Sequence, residues 1–386
     1  MKHVLNPRIK GMRCLKCGRE YPVGDYFYGC PACLEAGENS AITFVYGGPA
    51  HIREDKKGVG RYADFLPYSD AVTLGEGGTP GLDMPRLAEA LGVRRALTKH
   101  EFQNPTGSHK DRMNPFITAR AASMGYKVVT CASSGNEAAS LAAYAAAEGL
   151  DCVNVSAKNI TPIWKHASDA TGAKLALTET SAERLTYQRA HMDEGWYCAT
   201  NLLDIPTSSS PFGIQGYKTI AYEIFEDWKD DMPDCVMIPT CRGDLLYGVY
   251  EGFADLVAED YLEKMPRLAA AEPIPRLSEI LEKGRDHKDK FPGDTSAFSS
   301  IGGATATWQS VVALRGSGGF AVSAEGADAA VCVREFGGFG LYLETSSAIV
   351  GECVRRALKQ GKLSPEDSVM LVLTSNGYKN RVDLEL

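Results

Sequence analysis

From Lys127 onward the chain alternates short apolar runs with segments of helical pattern. "KVVTC" precedes "EAASLAAYAAAEG", "CVNVS" precedes "TPIWKHASDATG", "KLALTE" precedes "SAERLTYQRAHMDEG", and "WYCAT" closes the series. The order returns in "DCVMIP" followed by "DLLYGVYEGFADLV", and a last apolar run is "SVMLVLT". Strands that are apolar throughout bury both faces, and the intervening helices supply the crossovers that parallel strands need. The pattern predicts an α/β protein with two doubly wound parallel-sheet domains. With 386 residues, 44% hydrophobic and 23% charged, the chain can fill two cores. No internal repeat or low-complexity segment breaks the pattern, and the longest irregular stretch is expected around "PIPRLSEILEKGRDHKDKFPGDTSAFSSIGG".

The net charge of -8, with Lys and Arg scattered, offers no basic field, so nucleic acid is not an expected partner. No stretch approaches the roughly 18 apolar residues of a membrane span, and "MKHVLNPRIKGMRC" lacks the apolar core of a secretion signal. A cytoplasmic location without membrane contact is expected, and the odd count of 11 cysteines suits thiols better than a disulfide framework. Four cysteines stand apart as two C-x-x-C pairs, Cys14 with Cys17 and Cys30 with Cys33. Their spacing suits a tetrahedral zinc in a segment with little core of its own, which predicts a zinc-ribbon-like segment over residues 1–48. A ribbon without metal is the alternative. Four sulfur ligands leave no open position, so the metal is read as structural. The polar, glycine-punctuated stretch "GGPAHIREDKKGVGRYADFLPYSD" then reads as a linker wrapping onto the next unit.

In doubly wound folds the chemistry gathers in loops at the carboxyl ends of the strands. Two such loops are "ASSGN", Ala132 to Asn136, and "TCRGD", Thr240 to Asp244; each opens a helix N-terminus, and each has simple capping as its alternative. Lys110, in "QNPTGSHKDRMN", stands in a glycine-bearing turn. Alone it reads as a phosphate clamp, a Schiff-base nucleophile or a solvated cation.

These pieces, in this order, resemble the fold-type II pyridoxal-phosphate enzymes and, within them, threonine synthase and its relatives. "RCLKCGREYPVGDYFYGCPAC" is similar to the zinc ribbon that prefixes many threonine synthases, "LGEGGTP" to their entry motif, and "NPTGSHKDR" to the lysine motif. "SSGN" resembles the loop holding the cofactor ring, "IQGYKTIAYEI" the helix after the small domain, "LETSSA" a glutamate segment lining the site, and "LTSNGYK" the segment meeting the pyridine nitrogen. The resemblance implies a large cofactor-binding domain over 49–114 and 213–386, a small substrate-side domain over 115–212, and a homodimer. It makes Lys110 the Schiff-base lysine, with Ser108 and Asn104 orienting it and Asp111 and Arg112 pairing with the scaffold. Asn136 would face the ring's phenolic oxygen and Thr374 the pyridine nitrogen. Ser133, Ser134, Gly135 and Thr106 would hold the substrate carboxylate. A hydroxyl at Thr374 leaves the nitrogen largely neutral, which favours elimination and replacement at the β or γ carbon.

Five departures shape the functional reading. The phosphate loop, usually rich in glycine, is here Cys241, Arg242, Gly243 and Asp244, with Arg242 a candidate phosphate ligand. Gly213 occupies the place of an arginine useful for a substrate phosphate. Glu137 follows "SSGN" where a small, hydroxylated or histidine residue is usual, and a carboxylate there disfavours an anionic leaving group by roughly 1 to 4 kcal/mol at contact. His109 replaces an aromatic, either as a substrate-binding or acid group or as packing under the cofactor. Lys158, Lys165 and His166 are possible replacements for an altered lysine-bearing helix. The expectation is a threonine-synthase paralogue that eliminates or replaces a group on another substituted amino acid. The alternatives are authentic threonine synthase, converting O-phosphohomoserine and water to threonine and phosphate, and a silent cofactor-binding or zinc-ribbon interaction protein.

Overall fold

The computed structural model describes residues 3–379. In chain order its strands are β1 (Ile9–Cys14), β2 (Glu20–Tyr21), β3 (Ile42–Tyr46), β4 (Gly81–Asp83), β5 (Arg95–Lys99), β6 (Val128–Cys131), β7 (Asp151–Ala157), β8 (Lys174–Thr178), β9 (Trp196–Cys198), β10 (Cys235–Pro239), β11 (Arg267–Glu272), β12 (Phe320–Ser323) and β13 (Ser368–Val372). Contacts divide the chain into two compact units. The first runs to Gly78 and adds Asn104–Thr106 and Lys110–Thr219; the second takes Thr79–Gln103, Gly107–His109 and the chain from Ile220.

The first unit holds an antiparallel sheet of order β2-β1-β3 and a parallel sheet of order β8-β7-β6-β9. The parallel sheet is built as its pattern predicts, with helices Asn136–Glu148, Pro162–Thr171 and Ser181–Met192 as crossovers. The contacts that fasten the small sheet and its loops to the rest of the unit include a buried aromatic and an ion pair. Phe212 meets Phe44 at 4.9 Å between centroids and lies under the Arg120 guanidinium at 4.4 Å. Arg120 in turn grips Asp25 through Nε at 2.7 Å and Nη2 at 2.9 Å. A two-point guanidinium contact of this kind sets orientation as well as proximity. The stretch read as a linker folds onto this unit through a 3-10 turn, Gly58–Phe65, that buries Tyr62, Ala63 and Phe65.

The second unit is one six-stranded sheet, β12-β11-β10-β13-β5-β4, parallel except for β4 against β5. Its central strand β10 is buried at every position, as "CVMIP" requires. Met237, Ala269, Ile349 and Leu371 belong to its core. The α/β class with parallel sheets is therefore the observed one. The stretch expected to be irregular contains a helix, Leu277–Lys283, whose first amides are bound by Glu272 from the end of β11. That cap comes from outside the helix, so no local signal announces it. Among the described residues no helix is long and apolar enough to cross a membrane.

Candidate active site

The turn before Lys110 is shaped by Asp111. Its carboxylate accepts the Thr106 amide and hydroxyl at 2.6 Å each and the Ser140 hydroxyl at 2.6 Å, all fully inside the first unit. Asp111 and Arg112 thus serve the scaffold, Arg112 donating to Thr219 Oγ1 at 3.0 Å. The Thr106 hydroxyl points at Asp111. Asn104 Oδ1 accepts the Gly77 amide at 3.0 Å, which ties the "NPTG" turn to "LGEGG".

This framework leaves the Lys110 ammonium partly exposed and aimed at the first turn of helix Asn136–Glu148. Its Nζ lies 3.6 Å from Glu137 Oε2 and 5.9 Å from the centre of the Tyr217 ring. The Glu137 side chain is only 7% exposed, so the pair is shielded from bulk water. Asn136 is buried beside it at the start of the helix. In the preceding loop Ser133 Oγ accepts the Gly135 amide at 3.3 Å and Ser134 Oγ accepts the Ala157 amide at 3.1 Å. Each hydroxyl that accepts an amide keeps its proton for donation elsewhere. Gly213 is buried against the helix Asn114–Ser123, where an added Cβ would stand 2.5 Å from Met113 Cγ and 2.7 Å from Ile117 Cγ1. Lys158 pairs with Glu179 on the surface, and Lys165 and His166 are exposed, so none of the three is drawn into the loop.

In the second unit the His109 amide donates to Thr374 O at 2.9 Å, and ring Nδ1 lies 3.3 Å from the same oxygen, which makes Nδ1 the protonated nitrogen. Thr374 is buried, its own amide donating to Ser347 Oγ at 2.8 Å. The loop Thr240–Asp244 closes β10. Its Arg242 carbonyl accepts Thr307 Oγ1 at 2.6 Å and Gln309 Nε2 at 3.0 Å, while Cys241 Sγ donates to Gly302 O at 2.8 Å. Gly243 has φ +75°, and an added Cβ would stand 1.9 Å from Ser310 Oγ, so only glycine fits. Among the described residues, the amides of Cys241, Arg242 and Gly243 have no hydrogen-bond acceptor, and helix Asp244–Ala258 begins immediately after. Carbonyls held from behind, open amides and a helix N-terminus make a nest suited to an anion. The Asp244 carboxylate accepts Gln309 Nε2 at 2.6 Å. The Arg242 side chain is exposed and forms no ion pair among the described residues. Thr307, Gln309 and Ser310 were not singled out from the sequence; they lie some 65 residues downstream and carry no motif.

In the small sheet the four cysteines converge, their sulfurs all within 4.8 Å of one another. Cys14 and Cys33 sulfurs are 3.6 Å apart and those of Cys17 and Cys30 3.7 Å. A tetrahedron with zinc–sulfur bonds of about 2.3 Å has edges of about 3.8 Å, so the donor set fits that ion. Burial raises the Cys14 thiol, yet the Ser40 hydroxyl and the amides of Cys17 and Lys16 outweigh it and bring it down to about 6.

Comparison with known proteins places this geometry. The family model for pyridoxal-phosphate dependent enzymes matches residues 72–375, and the chain belongs to that family. More particularly, it is 28% identical over 393 residues to threonine synthase of Methanocaldococcus jannaschii, covering 95% of this chain and 92% of that one. It is 27% identical over 384 residues to threonine synthase of Methanosarcina acetivorans, covering 96% and 92%. Among solved structures, diaminopropionate ammonia lyase from Escherichia coli shares the fold with a TM-score of 0.66 at 17% identity, covering 79% of this chain and 85% of that one.

Proposed function

We propose that this enzyme eliminates or replaces a β or γ substituent of an amino acid whose leaving group is neutral or cationic. The observation that carries the reading is the buried Glu137 carboxylate 3.6 Å from Lys110 Nζ. When bound, pyridoxal phosphate supplies the electron sink that lets an amino acid lose its α-proton. Lys110 Nζ is the group assigned to carry the cofactor and to take that proton. Asn136 and Thr374 are assigned to the cofactor ring. The loop Cys241, Arg242, Gly243 and Asp244 is assigned to its phosphate, through the open amides of the first three and with the exposed Arg242 guanidinium as a charged supplement.

Ser133, Ser134 and Gly135 are assigned to the substrate carboxylate, the serines donating the protons that their accepted amides leave available, while Thr106, whose amide and hydroxyl both go to Asp111, supports the Lys110 turn. Glu137 then sets the electrostatic character of the substrate end. A shielded carboxylate repels phosphate and attracts an ammonium, or accepts a proton from a hydroxyl. Gly213 supports the same reading, since Met113 and Ile117 occupy the room a phosphate-binding arginine would need. The His109 ring, with Nδ1 directed at the Thr374 carbonyl, is assigned to packing.

The second reading is threonine synthase itself, favoured by curated relatives of that name that match 95% or more of this chain. Turnover of O-phosphohomoserine beside a panel of β-ammonio, β-hydroxy and β-phosphoryl amino acids separates the two. The proposal expects product from a member with a neutral or cationic leaving group, and robust release of phosphate from O-phosphohomoserine would sink it. Lys110→Ala should abolish the visible band of the bound cofactor and lower turnover by about 10³-fold or more. We also assign one structural zinc to Cys14, Cys17, Cys30 and Cys33, and a cytoplasmic homodimer as the working assembly; elemental analysis and sedimentation check these.

A further inference from the structure

Arg276 is fully buried at the start of helix Leu277–Lys283, four residues beyond Glu272. Its Nε lies 3.6 Å from Glu272 Oε2, and Glu272 is itself held by the amides of Leu277 and Ser278 at 3.0 Å each. A guanidinium taken wholly out of water needs acceptors for its fork of donors. Here they are main-chain carbonyls: Nη1 donates to Gly303 O at 2.8 Å, and Nη2 to Thr240 O at 2.9 Å and Ile301 O at 3.4 Å. Thr240 is the residue at which the chain leaves β10 for the amide-lined loop.

In a trans peptide the C=O and the following N–H point in opposite directions. Drawing the Thr240 carbonyl toward Arg276 therefore turns the Cys241 amide the other way. The Arg242 carbonyl, held by Thr307 and Gln309, turns the Gly243 amide by the same logic. Two of the three open amides are thus aimed by carbonyls tied from behind, and one of those ties is a buried cation. Glu272 compensates its charge, so the effect on the loop is geometric.

We propose that Arg276 is a positioning residue that preorganises the loop Thr240–Asp244 to bind a phosphomonoester dianion, taking over the part that additional glycines would play. The proposal rests on the reading of this loop as the seat of the cofactor phosphate. It is tested on the full-length apoenzyme by titrating pyridoxal phosphate and phosphate-free pyridoxal into wild type, Gly243→Ala, Arg276→Lys and Arg276→Gln. Wild type should prefer the phosphorylated form, and Gly243→Ala should lose that preference because its Cβ meets Ser310. Arg276→Lys keeps the charge but not the fork, so it should weaken pyridoxal phosphate by about tenfold or more while pyridoxal binding stays within about twofold. Retained pyridoxal binding certifies that each variant is folded, and the lysine variant decides if the glutamine variant is not. Loss of preference in Gly243→Ala with full preference in Arg276→Lys overturns the role of Arg276 and leaves the seat standing. Full preference in Gly243→Ala moves the phosphate elsewhere and overturns both.

Discussion

After β6, the loop Ala132–Asn136 turns its serine oxygens toward amides of its own scaffold and leads into a helix whose second residue is a buried carboxylate. After β10, the loop Thr240–Asp244 does the reverse: its carbonyls are held from behind by side chains, and its amides are left open. Both loops stand at the carboxyl end of a parallel strand in their own sheets and both open a helix, so topology alone would give them the same taste for anions. Side chains decide otherwise. Both helices carry a carboxylate in the first turn, but that of Asp244 accepts Gln309 Nε2 at 2.6 Å, whereas that of Glu137 lies 3.6 Å from Lys110 Nζ and sets the charge at its own loop.

The sharpest way to break the comparison is to disturb each unit by the device it alone contains. Chelation of the assigned zinc should strike the first unit. Hydrogen exchange should quicken across residues 9–46 and the stretch around Phe212, with stability falling by about 3 kcal/mol or more, while the paired strand β10, Cys235–Pro239, keeps its protection. Equal loss in both units would show that the ribbon does not belong selectively to the first. Acid should strike the second unit. Burial lowers His100 to about 4, helped by the nearby Lys99 charge, and Thr98 Oγ1 sits 2.9 Å from its Nε2. An unfolded histidine titrates near about 6.5, so the stability from keeping His100 neutral is complete above that value and is lost as pH falls from about 6.5 toward 4. Up to about 3 kcal/mol is involved, and His100→Gln should flatten the pH dependence of denaturation in that window. The smallest effect addresses the first loop itself. Glu137→Gln should raise relative turnover of anionic over neutral leaving groups by about 10- to 100-fold, and an unchanged ratio would remove the carboxylate from substrate selection.

Where sequence and structure agree, the reason is local. The apolar runs of β6, β7, β10 and β13 and the helices after them are legible because burial on both faces demands uninterrupted apolar residues. The two C-x-x-C pairs are legible because four sulfurs at that spacing have few other uses. The residues that went unread act at long range. β11 carries three consecutive alanines, poor strand formers that are fully buried all the same, so neither alternation nor propensity marks it. Arg276 sits in a stretch read as irregular, and its partners at 240, 301 and 303 are set by the sheet order. The i,i+4 spacing of Glu272 and Arg276 astride an apolar stretch was the one available hint. Glu137 stood out as a departure in the sequence, but its approach to Lys110 needed the turn that Asp111 builds.

Gly213 constrains redesign. With Met113 and Ile117 filling the space beside it, placing an arginine at that position by a single exchange would wreck the packing before it improved any binding. Larger neighbours must shrink first, and each such step on its own opens a cavity without benefit. An arginine at this position therefore demands at least two coordinated exchanges, so the character of this corner of the molecule is written into its packing.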